Sequence, residues 1–429
     1  MSETPEQKQF KKWGTKCPLP WIHLHIWPNH DAFPCCITTD KIGSTKDKSL
    51  KEVWNSPGMK QIRKDMIEDK EPDACKTCYM IEKNGQFSLR KDKIMEFKHH
   101  FNKIELTQPD GYLDEMDLRY WDFRFSNVCN LKCRSCGPQL STGWYPDAKA
   151  TNLIKLKDDG IIATTGVLPA DVPQKSDARL LKLWEELEPH FNTVESIYFA
   201  GGEPLLMEEH YRILNRLIDD GRASEVKLAY NTNFTTMSFK NQNILDLWPQ
   251  FRDVSVGASL DAYGRRAEFL RAGCDWKEIE NNRILMKDKT PNTNFFVAST
   301  VGIANIYHIT DLHKYLIENE MIDDIEKFRI NVIHRPDWLC ITNLPKPMKA
   351  EVTKLLEEHM VWLNNNYYES EVVINEIKGV INFLNSSEPD LNILKNYLYE
   401  MKVLDIVRKE SWKEVCPEIY KGFLENEVI

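Results

Sequence analysis

Cys129-Asn130-Leu131-Lys132-Cys133-Arg134-Ser135-Cys136 puts three thiols into eight residues, spaced C-x3-C-x2-C. A [4Fe–4S] cluster ordinarily takes four cysteine ligands, one per iron. Three cysteines leave one iron with an open position, and an open position on a metal is where a small molecule binds and reacts. Immediately upstream, Tyr120–Ser126 is an aromatic-rich run that predicts a strand, so the cysteine loop follows a strand end.

Five further runs predict strands: Ser196–Ala200, Val226–Asn231, Asp253–Ser259, Asn294–Val301 and Lys327–Ile333. Helical spacing lies between them, as in Glu208–Asp219 and Ile309–Glu318. Strands alternating with helices imply a parallel sheet. Six units fall short of an eight-unit closed barrel, so the expected fold is α/β, a partial (β/α)6 TIM-like barrel with its site at the carboxyl ends of the strands. The stretch 137–190 is long for one connection; it predicts a first helix plus an irregular insertion, Ile161–Gln174, acting as a surface loop or a cap. Composition divides the chain into a Cys-, Trp-, Pro- and His-rich region 1–90, a linker 91–116, the barrel 117–335 and a mostly helical region 336–429, which caps the site or closes the open side of the barrel.

The second strand ends in Gly201-Gly202-Glu203-Pro204. Glycines at a strand end let a ligand approach the backbone closely. With the cysteine loop on the preceding strand, this GGEP segment resembles the S-adenosylmethionine (SAM) site of the radical SAM enzymes. The resemblance implies that the open iron binds the amino and carboxylate groups of SAM. One electron then cleaves SAM to a 5′-deoxyadenosyl radical, which takes a hydrogen atom from a substrate. It further implies that Gly201, Gly202, Glu203 and Pro204 meet the methionine amino group. Asn231, Asn233, Ser259 and Asp261, at the third and fourth strand ends, would contact the ribose and carboxylate. Arg271 is expected either to bind the SAM carboxylate or to form a surface salt bridge, and Asn305 is a further candidate or a turn residue. Asn127 and Asn130 flank the loop as turn formers. One departure is Ser135, where the family often has an aromatic near the adenine.

A second cysteine set precedes the barrel: Cys17, Cys35-Cys36, and Cys75-Lys76-Thr77-Cys78, with Ser49–Ser56 between them. This resembles the auxiliary iron–sulfur module SPASM, in its shortened twitch form. The resemblance implies an auxiliary [4Fe–4S] cluster on Cys17, Cys35, Cys75 and Cys78, with Cys36 as a possible substitute for Cys35. The module usually follows the barrel, and here it comes first. Four thiolates would equally hold a structural zinc. Trp21, His23 and His25 alternate as on one strand face and are expected as side chains beside this site, with His23 or His25 as an alternative ligand. Cys274 and Cys340 lie in no motif; they are buried thiols or donors of a hydrogen atom to a substrate radical.

The chain has 429 residues, eleven cysteines and a net charge of −9. The acidic balance and the absence of a basic stripe argue against a nucleic-acid partner. No run approaches the ~20 apolar residues of a membrane span, and the charged amino terminus lacks the apolar core of a signal peptide. A cytoplasmic location is expected, where cysteine clusters serve metals rather than disulfides. The resulting expectation is a radical SAM oxidoreductase or modifying enzyme. It would act on a peptide or small molecule, draw electrons from a flavodoxin- or ferredoxin-type donor, and use the auxiliary cluster as electron acceptor. Two alternatives remain: an activase that places a radical on a partner protein, or a non-catalytic iron–sulfur or zinc protein.

Overall fold

A computed structural model describes residues 10–83, 87–155, 178–368 and 370–429. The expected insertion Ile161–Gln174 lies outside the described residues.

All six predicted strands form, with ends moved by at most three residues. They are β4 (Tyr120–Phe123), β6 (Ser196–Phe199), β7 (Lys227–Thr232), β10 (Asp253–Ala258), β12 (Asn294–Val301) and β13 (Phe328–Val332). The remaining strands are β1 (His23–Ile26), β2 (Asp31–Phe33), β3 (Gly43–Ser44) and four two-residue strands: β5 (Lys132–Cys133), β8 (Ser238–Phe239), β9 (Gln242–Asn243) and β11 (Arg271–Ala272). The main sheet has nine strands in the order β13-β12-β10-β7-β6-β4-β1-β2-β3. From β13 to β1 every neighbouring pair is parallel. The six predicted strands lie side by side in chain order, which is the order that successive βα units of one hand produce. The protein is therefore a mixed α/β protein built on a large parallel sheet.

One face of the sheet is apolar. Ile197 and Phe199, Leu228 and Tyr230, Val254 and Val256, and Phe295 and Val297 are buried there, alongside the amphipathic helix Glu208–Asp219 with its buried Tyr211, Leu214 and Leu217. Each buried side chain of this size contributes roughly 1.5–3 kcal/mol. Because the side-chain period of a strand is two, the intervening residues face the other way. That second face is unusually polar. His23 stacks on Tyr120 at 4.5 Å, His25 pairs with Asp122, and Ala229, Asn231, Ser255 and Gly257 continue the row.

Residues before 90 continue the sheet: β1 runs parallel to β4, and β2 and β3 add two antiparallel strands. Trp21 departs from the expected alternation. It belongs to the 3-10 turn Leu19–Trp21, because Pro18 and Pro20 keep that stretch out of a ladder, and the strand starts only at His23. Residues 91–116 hold the end of helix Leu89–Phe97 and the 3-10 stretch Lys98–Leu106. The carboxyl-terminal region is helical as expected: Lys346–Asn366, Glu371–Leu384, Leu391–Arg408, Trp412–Val415 and Pro417–Glu425. Helix Glu371–Leu384 covers edge strand β13, where the Glu376 carboxylate accepts the Ile330 backbone N–H at 2.8 Å. That pairing satisfies a donor an open edge would leave exposed. Among the described residues no helix is long and apolar enough to cross a membrane.

Candidate metal and SAM site

The cysteine loop leaves the end of β4 and returns as β5, which pairs antiparallel with β11 so that Cys133 lies opposite Arg271. Its turn is fixed from within. Asn127 donates through Nδ2 to the Pro138 carbonyl at 2.8 Å and to the Tyr145 hydroxyl at 2.9 Å, and the Cys136 N–H donates to the Cys133 carbonyl at 3.0 Å. Three groups point at the thiols: the Leu131 N–H at 3.4 Å from Cys129 Sγ, Asn233 Nδ2 at 3.7 Å from the same sulfur, and the Arg271 guanidinium at 3.8 Å from Cys133 Sγ. Burial pushes all three thiols upward, Cys136 to about 11. They stay protonated until a cation displaces the proton, as a metal ligand must. The donor set fits the expected cluster: three thiols of one loop, N–H groups aimed at sulfur, and a guanidinium beside them.

The Gly201-Gly202-Glu203 turn packs directly on this loop. Gly202 has φ +52°, and a Cβ there would lie 2.5 Å from the Val128 carbonyl oxygen. The Glu203 N–H donates to that same carbonyl at 2.7 Å. The Glu203 side chain is fully buried. Its Oε1 accepts from the Thr232 hydroxyl at 2.7 Å and the Leu205 N–H at 3.1 Å, and its Oε2 accepts from the Asn233 N–H at 2.6 Å. Burial lifts its pKa to about 7, against the pull of those donors. Three of roughly four acceptor positions are thus occupied within the protein, and Glu203 clamps the ends of β6 and β7 together. Asn233 links that clamp to the cysteines: its Nδ2 also donates to Asn130 Oδ1 at 2.8 Å.

At the fourth strand end, Asp261 is buried and bridges two elements. Its Oδ2 pairs with Arg271 Nε at 2.8 Å and its Oδ1 accepts the Thr300 N–H at 2.8 Å. Arg271 therefore forms a salt bridge, but a buried one beside a cysteine rather than one on the surface. Ser259 donates its backbone N–H to the Thr232 carbonyl at 2.8 Å. Asn231 is exposed on the polar face, next to Gly257, where a Cβ would crowd its Oδ1 at 2.8 Å. Asn305 is a turn residue: its side chain accepts from the Gly302 N–H and donates to the carbonyls of Asp261 and Thr300.

The second cysteine set converges as well. Cys17, Cys35, Cys75 and Cys78 line one apolar cavity, whereas Cys36 does not. Burial raises the thiols of all four. Cys36 turns instead toward the polar face. There burial and then the Asp122 carboxylate push its thiol up to about 11, and Arg124 pulls the other way. Cys274 donates its N–H to the Arg271 carbonyl at 3.0 Å, two residues past β11. Cys340 shares a hydrogen bond with the Thr342 hydroxyl at 3.1 Å, in the turn after β13.

Sequence reasoning missed the buried pair on the polar face. His25 Nδ1 lies 2.7 Å from Asp122 Oδ2 and both side chains are at most 1% exposed, and neither of these atoms nor His25 Nε2 has a partner in hydrogen-bond geometry among the described residues. Arg124 is 3.4 Å from Asp122 and also borders Gly201. A carboxylate inside a strand otherwise made of aromatics, with an arginine directly after it, was the available signal, since such groups are rarely buried without a task.

Solved structures with some likeness include native anSMEcpe with bound AdoMet, at 17% identity over 58% of this chain and 65% of that one, with a TM-score of 0.36. Native anSMEcpe with bound AdoMet and Cp18Cys peptide gives 18% identity over 57% and 60%, with a TM-score of 0.34. TYW1 with a lysine-pyruvate adduct bound gives 16% identity over 56% and 70%, with a TM-score of 0.27. The chain spans less than two thirds of the length of those two anSMEcpe structures. Likeness at this level leaves activity to be argued from the site itself. No curated protein matches the sequence. Residues 17–79, which carry the four converging cysteines, match the SPASM family, an iron–sulfur cluster-binding domain.

Proposed function

We propose that the chain is a radical SAM enzyme with an amino-terminal auxiliary [4Fe–4S] cluster of the twitch/SPASM type, built on a partial (β/α)6 barrel. The observation that carries this reading is the meeting of Cys129, Cys133 and Cys136 with the Gly201–Glu203 turn, Asn233 and the Asp261–Arg271 pair at the carboxyl ends of four adjacent strands. When bound, the clusters and SAM supply one-electron cleavage to a 5′-deoxyadenosyl radical and an acceptor for one electron from the substrate.

The residues of the chain do the rest. Gly202 allows close approach to the turn, Glu203 and Asn233 hold the strand ends in register, and Arg271 keeps a positive charge beside Cys133. The polar face between the two cysteine sites is the natural seat of a substrate. The Asp122 carboxylate lies against His25 Nδ1 and orients the imidazole. His25, beside the buried Asp122 carboxylate, is the chain's own candidate acceptor for a proton released when a bound substrate is oxidised, while hydrogen abstraction and electron acceptance would be the chemistry that the bound SAM and clusters supply. Iron–sulfur is favoured over zinc in this reading because residues 17–79 match an iron–sulfur cluster-binding domain.

The test is anaerobic reconstitution with iron and sulfide, followed by SAM and dithionite. Formation of 5′-deoxyadenosine is expected. A reconstituted protein that binds iron but leaves SAM intact would sink the reading and favour a non-catalytic iron–sulfur protein.

A further inference from the structure

Three consecutive residues of the cysteine loop are gripped from outside the sheet, and every grip leads to one helix. Lys132 Nζ pairs with Asp147 Oδ1 at 2.9 Å, and Asp147 Oδ2 accepts from Arg408 Nε at 2.7 Å. The Cys133 carbonyl accepts the Trp144 indole N–H at 3.0 Å, and the Arg408 guanidinium lies 4.8 Å over that indole ring. Arg134 donates to Asp405 Oδ1 at 2.7 Å and to Glu410 Oε2 at 2.6 Å. Arg408 and Asp405 belong to helix Leu391–Arg408, and Glu410 follows its left-handed cap at Lys409. Arg134 is also tied inward: its N–H donates to the Leu270 carbonyl at 2.7 Å, and its guanidinium stacks on Phe269 at 3.8 Å.

The Arg134 side chain is 2% exposed and that of Arg408 1%. A buried guanidinium stays charged, so its carboxylates cannot be removed without leaving an uncompensated cation. Arg134 lies between two of the three cysteines, one residue from Cys133 and two from Cys136.

We propose that helix Leu391–Arg408 is the outer wall of the SAM-cleaving site, and that Arg134, held by Asp405 and Glu410, is a positioning residue that sets the geometry and charge around Cys133 and Cys136. This rests on the radical SAM reading of the loop. Removing the two carboxylates frees the loop and leaves a positive charge beside it, which makes the cluster easier to reduce.

The experiment compares the full chain with Asp405→Asn/Glu410→Gln and with the neutral triple variant Arg134→Gln/Asp405→Asn/Glu410→Gln. In the apo proteins, hydrogen exchange at the Arg134 and Cys136 amides should quicken at least tenfold in the double variant. In the reconstituted proteins, the reduction potential of the loop cluster should rise in the double variant and return toward the wild-type value in the triple variant. Unchanged amides together with an unchanged potential in the double variant overturn the proposal. So does faster exchange with no shift of potential, which would make the helix a purely structural brace. If the wild type cleaves SAM while the double variant matches it throughout, only this proposal falls. If the wild type takes up no iron, this proposal and the radical SAM reading fall together.

Discussion

Cys129, Cys133 and Cys136 arrive together on eight consecutive residues, whereas Cys17, Cys35, and the pair Cys75 and Cys78 are gathered from three places between residues 17 and 78. Cys17 precedes the 3-10 turn Leu19–Trp21, Cys35 follows β2, Cys75 ends the 3-10 turn Asp73–Cys75, and Cys78 sits in helix Lys76–Lys83. The loop set costs little chain entropy to assemble, and the distributed set must close long loops first. The loop set is met by donors from the ends of other strands, Asn233 and Arg271, and by the Leu131 N–H of the loop itself. The distributed set lines an apolar cavity. The distributed thiols have donors of their own, the Leu19 and Ile37 N–H groups and Ser88, with Arg90 in the cavity lining, so the difference lies in position: the loop set sits at strand ends, where a further ligand can reach it, and the distributed set faces a cavity lined mostly by apolar side chains. In the proposed reading, the comparison sets a site for chemistry against a site for electrons.

The largest effect should come from splitting the two sites. Changing Cys129, Cys133 and Cys136 together to Ala should reduce 5′-deoxyadenosine formation to background. About four irons per chain should remain, the content of one cubane. An iron and sulfide count decides it, and near-zero iron would remove the amino-terminal cluster from the account. Next comes a finer cut inside the distributed set. Cys35→Ala should lose most of the auxiliary iron, and Cys36→Ala should keep it, because only Cys35 faces the cavity. Equal losses in the two variants, measured by iron content and absorption, would contradict that assignment.

A smaller effect is expected at the turn that joins GGEP to the loop. Gly202→Ala forces a side chain into left-handed backbone and against the Val128 carbonyl. It should lower stability by about 2 kcal/mol and weaken SAM binding, as urea denaturation and SAM titration would read. The smallest effect is a pH dependence in the apo protein. Burial raises the Glu203 pKa from an ordinary 4.5 to about 7, so the folded chain holds this proton longer than the unfolded one. Stability from this group is full below about pH 4.5 and is lost as pH rises through about 7. The wild type should therefore lose up to about 3 kcal/mol relative to Glu203→Gln across that window. A wild type that instead gains stability relative to Glu203→Gln as pH rises would mean that the Asn233 and Thr232 donors keep Glu203 ionised.

The six strands and the two long helical patterns were legible because each is a strong local period bounded by turn residues. Helices Leu50–Trp54 and Pro57–Ile67 were not anticipated, although the Ser49/Glu52 capping box and Ser56 before Pro57 are sequence signals for their starts. Asn305 was open between binding and turn formation, and its three hydrogen bonds to neighbouring backbone place it in the turn.

What the sequence by itself determined is the three-thiol spacing of the loop, the strand-by-strand order around it and the cysteine-rich character of the first region. Each follows from residues close together in the chain. Only the tertiary structure decided which of Cys35 and Cys36 faces the shared cavity, that Glu203 works as a clamp between two strand ends, and that His25 meets Asp122. It also decided that a helix some 270 residues downstream of Arg134 grips the cysteine loop. These are pairings between distant elements, and the direction of a side chain at such a pairing is set by sheet register and helix packing, which no local pattern encodes.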